Sequence, residues 1–266
     1  MTRDLTPPAV PAVSPDPSTA AQADLDSFVD LAATDPTVVG LVLSGSQARV
    51  GMPTIHSDYD IYVVTQDCPP TALDHLRALR SGRLDLTVMP LADFHAHALP
   101  GNPQDWDRYA FVHCRVLFDR LDGLVADLVR EKASLRSDEA WEMADRCLDA
   151  YLNAYYRSMK SHRDARPEAA HLDAAEGLPY LVTLLFALHE RVRPYNKYLR
   201  WELERHPLGQ PQWAADRLMP RIQRIASDGD PHTQKTLFAD LMQAARQGGH
   251  TSMVDSWESH LEQLGS

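Results

Sequence analysis

Asp58 and Asp60 stand two residues apart where a polar loop gives way to the apolar run Ile61–Thr65. Residues at i and i+2 of a strand project to the same face, so this spacing aims two carboxylates at one point. Upstream, Thr37–Leu43 (TVVGLVL) is β-branched and apolar, the pattern of a buried strand. It ends at Gly45-Ser46, a turn that opens a short helix and offers backbone N–H groups and a hydroxyl to an anion. The stretch Val42–Val64 therefore reads as strand, tight turn, short helix, loop, strand. Hard cations such as Mg²⁺ take oxygen ligands, commonly one or two protein carboxylates with substrate phosphates. One loop thus carries the groups for a metal and for a phosphate.

A third carboxylate strengthens the pattern. Leu84–Val88 (LDLTV) alternates as a strand and places Asp85 between two leucines, where an acid is disfavoured. If this strand lies beside Ile61–Thr65, three carboxylates converge at one sheet edge. Such a cluster repels itself unless a divalent cation neutralises it.

The remaining chain supplies the frame. Residues 1–17 hold five prolines and form a Pro-rich tail expected to be disordered. Ser18 caps a helix to about Ala33, and Thr71 caps another that ends at Gly82. Phe111–Phe118 is a fourth strand. From Leu121 the periodicity is helical: Trp141, Ala144, Leu148, Tyr151, Tyr155 and Met159 mark one face of a helix over 138–162. Pro179–Val192 is apolar nearly all round and reads as the central helix. Pro207, Pro211, Pro220 and Pro231 separate shorter helices, and Thr251–Leu264 is the last. The fold class is α+β: an N-terminal α/β domain with a small mixed sheet over 18–120, then a C-terminal helical bundle over 121–266. Pockets favour domain junctions, so the carboxylate loop is expected to face the bundle.

The net charge of −11 argues against a protein that coats nucleic acid. Three separated cysteines without a Cys-x-x-Cys pair argue against a disulfide framework or zinc site and fit a reducing, cytoplasmic setting. The longest near-apolar run, Leu178–Leu188, has 11 residues, short of the roughly 18 that a membrane span requires.

Gly45-Ser46, then Asp58-Tyr59-Asp60, then a strand-borne Asp85 resembles the nucleotidyltransferase superfamily related to DNA polymerase beta. The His56-Ser57-Asp58-x-Asp60 phrasing is most similar to the antibiotic nucleotidyltransferases, which adenylylate aminoglycoside hydroxyls and also carry a helical C-terminal domain. The resemblance covers about residues 37–118 by motif and the bundle by architecture. It implies transfer of a nucleoside monophosphate, AMP from ATP, to a small hydroxylated acceptor with release of pyrophosphate. It implies two Mg²⁺ ions on Asp58, Asp60 and Asp85, with Asp85 either a metal ligand or the general base. It implies nucleotide contacts from Gly45, Ser46, Arg49 and Ser57. Arg49 either touches triphosphate or caps the short helix, and the resemblance gives no role for Gln47.

In the bundle, Arg191–Arg200 mixes four basic residues with Tyr195 and Tyr198. Similar Pro-x-x-Lys-Tyr phrasing in that family implies triphosphate contact by Lys197 and then Tyr198. Asp173 and Glu176 precede the Pro179 helix, where carboxylates pair either with acceptor amines or with the helix dipole. The Arg157/His162 spacing has a counterpart in helical ribonucleases. His95 and His97 do not share a helix face, so no zinc site is expected there. Two alternatives stand beside the leading one: a protein adenylyltransferase acting on a partner such as a toxin, and an inactive nucleotide-binding regulator.

Overall fold

A computed structural model of the chain describes residues 17–67 and 83–264. Residues 1–16 of the Pro-rich tail and the helix expected over 71–82 lie outside the described residues, and Pro17, counted in that tail, opens the first helix instead. The fold is α+β, and the chain divides into two compact units. The first holds residues up to Asp105 together with His113–Val129. The second holds Trp106–Val112 and Arg130–Ser266.

In the first unit, helix α1 (Pro17–Thr34) leads to strand β1 (Val38–Leu43). Next come β2 (Tyr59–Thr65), β3 (Leu84–Pro90), the short helix α2 (Leu91–Ala96), β4 (Arg115–Asp119) and α3 (Leu124–Ala133), which passes into the second unit at Arg130. The described strands form one mixed sheet in the order β3-β2-β1-β4. β1 pairs antiparallel with β2 and β4, while β2 and β3 run parallel with Asp60 opposite Asp85.

Alternation splits the sheet into two faces. Leu41, Leu43, Ile61, Val63, Leu86 and Val88 pack with Leu25, Phe28 and Ala32 of α1 into one core. Val42, Asp60, Tyr62, Asp85, Thr87 and Met89 belong to the opposite face. That second face meets α3 at Gly40, where an added Cβ would lie 2.7 Å from Val125 Cγ2. Arg120 fastens the sheet to the end of α1 by donating to the carbonyls of Asp35 (2.6 Å), Val38 (2.9 Å) and Ala33. The position suits a cation, because the last carbonyls of a helix carry partial negative charge.

The second unit is helical. Its elements are α4 (Ser137–Arg163), α5 (Pro167–Ala187), α6 (Leu199–Arg205), α7 (Ala215–Asp228), α8 (Pro231–Gln247), α9 (Thr251–Ser256) and α10 (Glu258–Glu262). Its core gathers Leu148, Leu152, Leu181, Leu184, Phe186, Trp213, Leu218, Leu237 and Leu241. At Gly177 of α5 an added Cβ would sit 3.2 Å from Ala154 Cβ of α4, so the two helices cross closely there. Asp230 caps α8 by accepting from Thr233 N at 2.7 Å, a contact of about 1 kcal/mol. No described helix is long and apolar enough to cross a membrane.

Several boundaries differ from the sequence-based expectation. The fourth strand begins at Arg115, not Phe111. Asp105–Phe111 instead form a 3₁₀ segment whose Tyr109, Ala110 and Phe111 are buried, and His113 (φ 62°) breaks the chain before β4. The helix expected to begin at Pro179 begins at Pro167, where a proline sits naturally in the first turn. It ends at Ala187, and Glu190 then turns the chain left-handed (φ 55°). Pro220 lies inside α7 and does not separate two helices. The last expected helix is two short ones divided at Trp257. Trp141, counted on the apolar face of α4, is 51 % exposed and stacks on His250 with centroids 5.1 Å apart. Cys114 and Cys147 are free thiols, and burial pushes Cys114 up to about 11.

Candidate active site

The site is built at the end of β1. Ser44 N donates to Asp60 O at 2.8 Å, which carries the β1–β2 pairing one residue beyond the strand. Gly45 follows at φ 65°, ψ −156°, backbone that a side chain all but forbids. The reason for glycine is also spatial. A Cβ at position 45 would lie 1.6 Å from Asp60 Oδ2, so the missing side chain is the space the carboxylate fills. Ser46–Ala48 then form a single 3₁₀ turn, the short helix read from the sequence.

Parallel pairing of β2 with β3 sets Asp60 and Asp85 side by side on one face. Asp58 sits just before β2. One carboxylate oxygen from each of Asp58, Asp60 and Asp85 lies within 4.8 Å of the others. Asp58 and Asp85 are exposed and Asp60 is half-buried. Like charges at this separation repel by about 1 kcal/mol per pair in water and about 3–4 kcal/mol at a protein surface. A divalent cation removes that cost, and an all-oxygen donor set suits a hard ion such as Mg²⁺. The Gly45 space beside Asp60 and the three convergent oxygens therefore fit such an ion.

Several contacts hold the turn. Arg49 is 2 % exposed, and its NH1 donates to Gly45 O at 2.5 Å. It braces the turn from within the fold. Gln47 Nε2 donates to Ser57 O at 3.4 Å and links the turn to the loop before Asp58. Ser57 Oγ accepts from Thr54 N at 2.9 Å and closes that loop. Ser46 is buried beneath the turn. Val50 (77 %) and Ile55 (86 %) stand exposed on the same loop.

The helical-unit candidates are placed as follows. Lys197 is exposed, with Nζ 5.3 Å from the Tyr198 ring centroid. Tyr198 is buried and packs near Tyr109 and Tyr195 at 6.0 and 6.4 Å. The other cations of this stretch are engaged. Arg191 pairs with Glu202 and donates to His206 O at 2.6 Å, Arg193 donates to Asn196 at 3.0 Å, and Arg200 pairs with Glu204 at 3.5 Å. Burial lowers the pKa of Arg193. Asp173 and Glu176 lie inside α5 and both take Arg157 as ion-pair partner, Glu176 at 3.2 Å. His162 Nε2 meets Gly229 O at 3.0 Å. These four side chains knit the helices together.

Sequence reasoning named the three carboxylates and the glycine but not Thr87. It follows Asp85 by two on β3 and shares its face, a signal present in the alternation of LDLTV.

No family model matches this chain, and no curated protein matches it. Among solved structures, the chain is similar to a nucleotidyltransferase-like protein from Exiguobacterium sibiricum 255-15. Identity is 13 %, the alignment covers 92 % of this chain and 89 % of that one, and the TM-score is 0.44.

Proposed function

We propose that this protein is a Mg²⁺-dependent nucleotidyltransferase that moves AMP from ATP to a hydroxyl of a small molecule. The observation that carries the reading is the convergence of Asp58, Asp60 and Asp85 within 4.8 Å, with Gly45 cut away to admit Asp60. Asp58, Asp60 and Asp85 would hold the metal, whose bound charge offsets that of the triphosphate and of the leaving pyrophosphate. Backbone N–H groups of the Gly45-Ser46 turn would receive phosphate oxygens, with Gln47 and Arg49 keeping the turn in shape. The acceptor oxygen attacks the α-phosphorus and the bond to the β-phosphate oxygen breaks. Pyrophosphate leaves, and the hydroxyl proton passes to a carboxylate, for which exposed Asp85 is the candidate. An aminoglycoside-like acceptor is the finer form of this reading, supported by the His56-Ser57-Asp58-x-Asp60 phrasing.

The test supplies purified protein with ATP labelled at the α-phosphate, Mg²⁺ and a panel of hydroxylated acceptors. Label should pass to an acceptor, and Asp58→Asn or Asp60→Asn should lower the rate by about 10³-fold or more and weaken Mn²⁺ binding. Near-normal transfer by either variant rejects the site.

A second reading, modification of a partner protein, is favoured by exposed Val50 and Ile55, apolar residues on the loop that leads to Asp58. The same assay separates the two, because the label then remains on a macromolecule. The third, an inactive nucleotide binder, sits poorly with three intact carboxylates. It predicts tight ATP binding without pyrophosphate release.

A further inference from the structure

The loop between the Gly45-Ser46 turn and Asp58 is built as two closed turns. In the first, Arg49 N donates to Ser46 O at 3.1 Å and Met52 N donates to Arg49 O at 3.1 Å. In the second, Ser57 N donates to Thr54 O at 3.0 Å, Thr54 N to Ser57 Oγ at 2.9 Å and His56 N to Thr54 Oγ1 at 3.2 Å. Pro53 stands between them, and a proline has no N–H with which to join one turn to the other. The side chain of Gln47 makes the join. It leaves the first turn half-buried, and its Nε2 donates to Ser57 O at 3.4 Å. Gln47 is also the residue to which the family resemblance gives no role.

What depends on this join is Asp58. Asp60 and Asp85 lie opposite each other on paired strands, so the ladder fixes both. Asp58 stands one residue before that ladder, which begins at Tyr59. It approaches the other two carboxylates against their like charge. The Ser57 carbonyl and the Asp58 nitrogen belong to one planar peptide group, so whatever holds Ser57 O also orients the backbone from which the Asp58 side chain springs. The Gln47–Ser57 bond is longer than the usual N–H···O length and has about 0.5 Å left to close. At its other end, Gln47 shares a single 3₁₀ turn with Ser46. An anion received by the N–H groups of that turn therefore acts on the base of the Gln47 side chain.

We infer that Gln47 is a positioning residue that couples the two halves of the site. A phosphate-type oxyanion on the Gly45-Ser46 turn draws Ser57 and Asp58 inward through Gln47, and the three carboxylates then hold a divalent cation more tightly. Linkage makes the effect mutual: the cation raises the affinity for the oxyanion by the same factor. The net worth of one neutral hydrogen bond sets its size, about three- to tenfold. The anion and cation seats rest on the transferase reading above, but the coupling concerns binding at equilibrium and needs neither acceptor nor turnover.

The probes are Mn²⁺ and sulfate, a tetrahedral oxyanion that by itself holds Mn²⁺ only weakly. Mn²⁺ is titrated into the full chain in sulfate and in chloride at matched ionic strength, and the free ion is followed by its paramagnetic resonance. Wild type should bind Mn²⁺ about threefold or more tightly in sulfate than in chloride. Gln47→Met keeps the length of the side chain and removes the donor, and it should bind Mn²⁺ equally in the two media. In this variant the amides of residues 54–58 should exchange hydrogen about tenfold faster, while those of β1 and β2 keep wild-type rates and show that the sheet is folded. An equal sulfate effect in wild type and variant overturns the inference. So does the absence of a sulfate effect in wild type, or unchanged exchange over residues 54–58 in the variant. The two claims fail separately. A sulfate effect that is lost in Gln47→Met, with no label transfer to any acceptor, rejects the transferase and keeps the coupling. Label transfer that depends on Asp58, with Gln47→Met keeping both the sulfate effect and the wild-type KM for ATP, rejects the coupling and keeps the transferase.

Discussion

Gly45 and Asp60 share one volume: the side chain that glycine lacks is replaced by a carboxylate oxygen of its neighbour strand. Gly45→Ala therefore meets two obstacles, the positive φ and the 1.6 Å approach to Asp60 Oδ2. We expect a loss of about 1–3 kcal/mol in stability from backbone strain. A fall in Mn²⁺ affinity should accompany it as Asp60 is pushed aside. Thermal melting and metal titration read the two effects separately, and a variant with unchanged metal affinity would show that Asp60 does not need that space. The glycine and the three acids were legible in the sequence, because chemistry at a strand end is written in residue type and spacing. The burial of Arg49 was not. A cation one turn after a phosphate-type loop has the same spelling whether it faces solvent or, as here, reaches back to Gly45 O.

At the scale of elements, residue patterning carried the most information. It gave β1 and β2 as apolar runs and β3 as an alternating one, nearly to the residue, and the parallel register of β2 with β3 turned a conditional convergence of acids into an observed one. It failed at Phe111–Phe118, whose apolar content serves two structures: a buried 3₁₀ segment to Phe111 and a strand from Arg115. No local periodicity divides them, because the segment's burial comes from contacts distant in sequence. Arg108 is the clearest of these. It pairs with Glu139 of α4 and donates to Lys132 O at 2.9 Å and to Ser134 O. Both members of the ion pair are about nine-tenths buried. Arg108→Ala leaves the Glu139 carboxylate without its partner, and breaking a buried pair of this kind costs about 3–5 kcal/mol. Denaturant unfolding should show that loss, and a change below about 1 kcal/mol would mean that solvent reaches the pair freely. Proline was the other ambiguous mark. Pro167 and Pro231 open helices while Pro179 and Pro220 lie within them, and the residue alone does not say which.

For the whole molecule, the sequence marked a change of character near residue 121 but not that Trp106–Val112 groups with the helices beyond it. Side-chain contacts explain the grouping. Tyr109 donates to Glu202 of α6 at 2.6 Å, and Tyr195 donates to Asp107 at 2.8 Å. Glu202 also takes Arg191, so one nearly buried carboxylate gathers three stretches of chain. Tyr109→Phe should cost about 1.5–3 kcal/mol, the usual worth of a hydrogen bond to a charged group. Hydrogen exchange should place the loss in Leu199–Arg205, with the β1–β4 amides keeping their protection. Loss spread evenly over the sheet would contradict the grouping.

The path of the chain has a practical consequence. It passes from one unit to the other at 105/106, returns at 112/113 and crosses again at 129/130. A single protease nick anywhere leaves both halves joined by backbone or by the anchored 106–112 strip. A gene divided at residue 121 would deliver two fragments that each carry part of the other's interior, so cutting this protein at its apparent seam yields pieces suited to reassembly, not two independent modules.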